Sequence, residues 1–122
     1  MVRVLLAEDN KDVADLIAEM LEMEGHQVEV VSNGLLAVDL LKSGAEFDVV
    51  ITDLIMPVLD GIGVLRYVLA QEQRIPVIVL SGGGVTIGSQ DALRVVEGMA
   101  NAVLQKPIVH NDLIQAVTSV AA

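Results

Sequence analysis

The 122-residue sequence contains no cysteine, which removes disulfides, thiolate metal sites and thiol catalysis together. Tryptophan is absent too, and Phe47 and Tyr67 are the whole aromatic complement, so any core must be aliphatic. Cations are scarce: seven Lys and Arg stand against 17 Asp and Glu, a formal charge of -10 at neutral pH. Duplex DNA and anionic membranes are bound through counterion release by Lys and Arg, so no direct nucleic-acid contact is expected of such a chain. No apolar run approaches the roughly 18 residues needed to span a bilayer. The opening Met1-Val2-Arg3 enters a short apolar run that meets Glu8 and Asp9, which is not the form of a signal peptide. The expectation is a cytoplasmic protein without membrane insertion.

What is present is 53% hydrophobic residues, too many for a disordered chain, in a length that suits one domain. Short apolar runs alternate with helical periodicity. Val2 to Ala7 is a nearly unbroken aliphatic run of strand length, interrupted only by Arg3, as expected of a strand covered on both faces. Val13, Leu16, Ile17, Met20 and Leu21 then recur at amphipathic spacing, and Gly25 is placed to end that helix. Gln27 to Val31 predicts a second strand, and Leu36 to Leu41 a second helix stopped near Ser43-Gly44. Phe47 to Thr52 and Pro76 to Leu80 predict the third and fourth strands, with a helix through Leu65, Val68 and Leu69 between them. A helix around Asp91 to Met99, a short strand at Ala102 to Gln105 and a last helix bearing Leu113, Ile114, Val117 and Val120 complete the pattern. Five strands alternating with five helices predict an α/β fold with a parallel sheet and helices on both faces.

In such sheets ligands bind beyond the carboxyl ends of the strands. There the first strand ends in Glu8 and Asp9, the third in Asp53, the fourth in Ser81 and the fifth in Lys106. Taken singly, each has an ordinary role: an acidic pair caps a helix, an Asp makes a turn, a Ser leads into a glycine loop, a Lys is solvated. Three carboxylates, a hydroxyl and an ammonium in phase at four strand ends are a different matter, and point to a shared site.

The stretches Val4-Leu5-Leu6-Ala7-Glu8-Asp9-Asn10, Asp53-Leu54-Ile55-Met56-Pro57-Val58-Leu59-Asp60-Gly61, Leu80-Ser81-Gly82 and Lys106-Pro107 carry a family likeness. The sequence resembles the receiver domain of two-component response regulators over essentially its whole length. The resemblance implies a flavodoxin-like (βα)₅ fold with strand order 2-1-3-4-5. It implies that Asp53 is the phosphoacceptor, that Lys106 and Ser81 contact the phosphoryl oxygens, and that Lys106-Pro107 is a cis peptide. It also implies Mg²⁺, held by Asp9, Asp53 and the Ile55 backbone carbonyl, with Glu8 acting through water; all-oxygen ligation suits that ion. The implied partners are a histidine kinase or histidine phosphotransfer protein, and a downstream protein bound on the face of the fourth helix, fifth strand and fifth helix. The protein would be a phosphoacceptor that assists its own transfer, not an enzyme acting on other substrates.

The sequence departs from the family in two places. The aromatic that usually turns inward three residues before the Lys is Val103, and the usual Phe after Lys-Pro is Ile108. The connection after the fourth strand is also longer than usual and begins Gly82-Gly83-Gly84, so this loop is expected to carry much of the conformational response. Gly82 itself fits a close approach to the phosphoryl group. Other phosphate chemistries lack their motifs: there is no G-x-x-x-x-G-K-[ST], G-x-G-x-x-G, Asp-x-Asp or G-x-S-x-G. His26 and His110 show no ligand spacing and are expected at the surface or at caps. The rival expectation is a receiver-like interaction module that is not phosphorylated, which predicts loss of Glu8, Asp9, Asp53 or Lys106; all four are present. Because Ala122 follows directly on the last helix, one receiver domain over 1–122 is expected, with no output domain in this chain.

Overall fold

The computed structural model describes residues 1–82, 94 and 96–121. Five strands, β1 (Arg3–Ala7), β2 (Gln27–Val31), β3 (Val49–Asp53), β4 (Val77–Ser81) and β5 (Ala102–Gln105), alternate with helices α1 (Lys11–Met23), α2 (Gly34–Lys42) and α3 (Gly61–Leu69). Residues 94 and 96–99 are helical (α4), and α5 spans His110–Ala121. The expected start of the fourth helix at Asp91 and the glycines 83 and 84 lie outside the described residues.

Asparagines and an aspartate start α1, α2 and α3. The Asn10 side chain accepts from the Val13 N–H at 3.1 Å, Asn33 from Leu36 at 2.9 Å and Asp60 from Gly63 at 3.0 Å, each filling one of the orphan donors of a first turn. Asn10 therefore takes the capping role open to the acidic pair, and Glu8 and Asp9 are left for other work. Helix α1 buries Ala14, Ile17 and Leu21, spaced three and four apart on the face toward the sheet.

All four strand pairings are parallel, and the order is β2-β1-β3-β4-β5, as the family resemblance implied. Pleating sends alternate residues to opposite faces. Leu5 and Ala7 of β1 enter one core with α2, α3 and α4; Val4 and Leu6 enter the other with α1 and α5. Most of these side chains are aliphatic and fully buried, each contributing about 1.5–3 kcal/mol of transfer free energy. Among the described residues, no helix is long and apolar enough to cross a membrane.

The strands differ slightly from the apolar runs that predict them. Asp53 and Ser81 close β3 and β4 one residue past those runs, because the ladder continues through Asp53 opposite Leu80 and Ser81 opposite Gln105. Phe47 stays outside β3: the chain turns into the sheet at Asp48, whose N–H and carboxylate engage the Arg3 carbonyl and N–H, both at 2.8 Å. His26 also has a defined place, its Nδ1 accepting from the Val2 N–H at 3.1 Å where β1 and β2 begin.

Candidate functional site

The parallel register brings the strand ends to one rim. Ala7 lies opposite Thr52, so Glu8 follows β1 at the level where Asp53 closes β3. This is the switch point, where the chain's connections leave β1 and β3 for opposite faces of the sheet. Asp53 is 7% exposed; its Oδ1 accepts from the Leu54 N–H at 3.1 Å and its Oδ2 from Lys106 Nζ at 2.9 Å. The same ammonium donates to Glu8 Oε1 at 2.6 Å, while Glu8 Oε2 accepts from the Asn10 N–H at 3.2 Å. Asp9 is exposed, and one oxygen from each of Glu8, Asp9 and Asp53 lies within 4.8 Å of the others. Ser81 is buried at the adjacent strand end, its hydroxyl only 3.4 Å from the Gly82 carbonyl and weakly held there. Ile55 lies two residues past Asp53 with its side chain in solvent. Lys106-Pro107 is cis.

One ammonium does not balance three carboxylates. Unit charges about 4 Å apart interact by about 4 kcal/mol at an effective dielectric near 20, so the group retains a negative excess that favours a further cation. A donor set made wholly of oxygen suits a hard divalent ion such as Mg²⁺, which binds one or two carboxylates and keeps several waters. The residues present fit that ion.

The loop after Asp53 is shaped by close backbone approaches. Gly61 donates to the Leu54 carbonyl at 2.9 Å, and a Cβ there would lie 2.5 Å from the Asp53 carbonyl oxygen. Only glycine fits, which gives the Asp60-Gly61 pair its physical meaning: one residue caps α3 and the next lies against the backbone of Asp53. Leu54 and Met56 point into the core and pin the loop from below. On the other side Gly34 donates to the Leu59 carbonyl at 3.0 Å, and its missing Cβ would sit 2.3 Å from that oxygen. Between these anchors the chain makes a tight turn, with Leu59 N–H on the Pro57 carbonyl at 2.8 Å and Val58 at φ +71°. A β-branched residue is strained at positive φ. Gly34 and Val58 were not singled out as site residues in the sequence.

Val103 and Ile108 are both packed: Val103 against the α2–α3–α4 core, Ile108 against the α1–α5 core. The positions that carry aromatics elsewhere in the family are thus filled by partly buried aliphatics. The long connection expected to carry the response lies outside the described residues beyond Gly82.

Two predictions arise from this geometry. Val58→Gly should raise stability by roughly 1 kcal/mol, the relief of strain exceeding glycine's extra freedom in the unfolded chain. An unchanged or lower melting temperature would show that the turn carries no strain. The second concerns pH. Burial works against the Lys106 charge, but hydrogen bonds and attraction from Glu8 and Asp53 outweigh it and hold the pKa above the ordinary lysine value of 10.5. The stabilisation from this pairing is therefore complete below that value and fades as pH rises through the folded-state pKa. Lys106→Met, which strands the buried Glu8 charge, should cost about 3–5 kcal/mol near neutrality. Denaturant titrations should find the gap between parent and variant narrowing in alkali; a constant gap contradicts the pairing.

The family pattern described as the response regulator receiver domain matches residues 4–118. The transcriptional regulatory protein CpxR of Escherichia coli is 32% identical over 120 residues, covering 98% of this chain and 49% of CpxR. The chain spans half or less of the length of the curated relatives it matches. Among solved structures, the signal receiver domain of a signal transduction histidine kinase from Syntrophus aciditrophicus superimposes with a TM-score of 0.86 at 31% identity, over 99% of this chain and 90% of that one. The receiver domain of sensor histidine kinase PA1611 from Pseudomonas aeruginosa, which has a magnesium ion coordinated in its active site cleft, gives 0.84 at 29% identity over 98% and 97%. A match that runs almost from end to end, on a chain whose fold and rim chemistry agree with it, makes this a member of the response regulator receiver domain family.

Proposed function

We propose that the chain receives a phosphoryl group on Asp53 from a histidine kinase or a histidine phosphotransfer protein, with Mg²⁺ as cofactor, and changes its binding to a downstream protein in response. The observation that carries this reading is the Lys106 ammonium on Asp53 at the rim, beside a carboxylate cluster fitted to a divalent cation. An Asp53 oxygen attacks phosphorus, the new O–P bond forms as the P–N bond of phosphohistidine breaks, and the electron pair leaves with the imidazole nitrogen. Lys106 sits where it offsets charge on the phosphoryl oxygens, and Ser81, whose hydroxyl is only weakly held, donates a hydrogen bond to them. Asp9, Asp53 and the Ile55 carbonyl would hold Mg²⁺, which when bound would supply charge neutralisation between the carboxylate and the phosphoryl group.

In this reading the protein is a phosphoacceptor that assists its own phosphorylation and dephosphorylation, and it works in the cytoplasm. Its output partner binds the α4–β5–α5 face. Direct nucleic-acid binding is disfavoured by the charge of -10. The transcriptional regulation named for CpxR belongs to that protein, of which this chain matches about half.

Incubation with labelled phosphoramidate and Mg²⁺ should label the parent to near stoichiometry and leave Asp53→Asn unlabelled. Stoichiometric labelling of the variant would move the acceptor elsewhere. Since only the folded chain assembles the carboxylates, Mg²⁺ at a hundred times its dissociation constant should stabilise the parent by about 2.7 kcal/mol. With no tryptophan to follow, circular dichroism or calorimetry reads the melt. A melting temperature indifferent to millimolar Mg²⁺ would show that the three carboxylates form no cation site.

A further inference from the structure

Glu8 differs from the two carboxylates beside it. Its side chain is 0% exposed, against 10% for Asp53, and Asp9 lies in the open. Both its oxygens are engaged inward, one by Lys106 and one by the Asn10 N–H. The contact from Lys106 is shorter to Glu8 than to Asp53, 2.6 Å against 2.9 Å. Glutamate is one methylene longer than aspartate, and here that length carries the carboxylate beneath the rim to the ammonium. Proximity alone makes Glu8 a candidate ligand, since it lies within the same 4.8 Å cluster. To ligate a cation directly, however, it would have to leave the ammonium that compensates its burial, and a buried carboxylate without its partner is strongly disfavoured.

We propose that Glu8 is a positioning residue: the buried anchor that keeps Lys106 at the phosphoacceptor while Asp9 and Asp53 take the cation. Asp53 can then exchange its share of Lys106 for the metal without the ammonium leaving the site, because the shorter bond to Glu8 persists. The lysine stays within reach of an incoming phosphoryl oxygen instead of swinging into solvent on its long, flexible stem. This rests on the phosphoacceptor reading for its purpose, but not for its geometry.

The test is a Mg²⁺ titration of the whole chain, with nitrogen-labelled lysine and carbon-labelled carboxyl groups followed by NMR. The Asp9 and Asp53 carboxyl signals should move with saturation, while the Lys106 ammonium stays protected from exchange and correlated with Glu8. In Glu8→Gln the protected ammonium signal should vanish, and phosphorylation by phosphoramidate should slow about tenfold, by the same factor as in Lys106→Met, with no further loss in the double variant. If Mg²⁺ instead shifts the Glu8 carboxyl and extinguishes the ammonium signal, Glu8 is a metal ligand and the anchor is overturned. A protected ammonium that survives in Glu8→Gln overturns it equally. The titration of the parent decides the matter even if the variant folds poorly. Should Mg²⁺ move none of the carboxyl signals, the metal-dependent reading fails, and the ammonium signal in Glu8→Gln still decides the anchor.

Discussion

A single ammonium group holds the working end of this protein together. Lys106 follows β5, Glu8 follows β1 and Asp53 ends β3, so the three side chains meet only if the parallel sheet closes in its observed order. The pairing spans 98 residues to Glu8 and 53 to Asp53, and it satisfies a carboxylate that is sealed from solvent. Such a pair is a poor source of net stability relative to an apolar core, yet breaking it is expensive. The stability of the fold therefore comes from the two aliphatic layers, while the ion cluster makes their arrangement functional.

The backbone around the cluster is subordinate to it. Asn10 caps α1 and frees the acidic pair, and its own N–H restrains Glu8. Gly61 and Gly34 let α3 and α2 come within backbone contact of the loop that follows Asp53. With Leu54 and Met56 buried below, this loop cannot relax without moving either helix, which accounts for Val58 being held at positive φ. The acceptor carboxylate is thus presented by a rigid strand end and a constrained turn, the preorganisation that electrostatic catalysis requires.

Much of this was legible in the residues. The aliphatic runs of β1, β3 and β4 and the burial of Ile17 and Leu21 in α1 required only periodicity, which however put exposed Leu16 on the same face and passed over buried Ala14. The convergence of Glu8, Asp9, Asp53, Ser81 and Lys106 on one rim came from strand ends taken together. The apolar runs themselves stop one residue short of Asp53 and Ser81, because hydrophobicity ends there while the hydrogen-bond ladder continues. Gly34 and Val58 were hidden for another reason: their significance lies in contacts between α2 and a loop more than twenty residues away in sequence. The family resemblance implied that Lys106 would contact phosphoryl oxygens. Its double engagement with Glu8 and Asp53 depends on the reach of two long side chains, which spacing does not encode.

The central claim is that this rim makes Asp53 a nucleophile toward phosphorus. It is tested most directly by treating the protein with phosphoramidate and Mg²⁺, reducing any acyl phosphate with borohydride, and sequencing the peptides by mass spectrometry. Reduction should convert residue 53, and no other carboxylate, to homoserine. Homoserine at Asp9 or another aspartate, 5-hydroxynorvaline at Glu8, or no reduced residue at all under conditions that phosphorylate other receivers, would contradict the account.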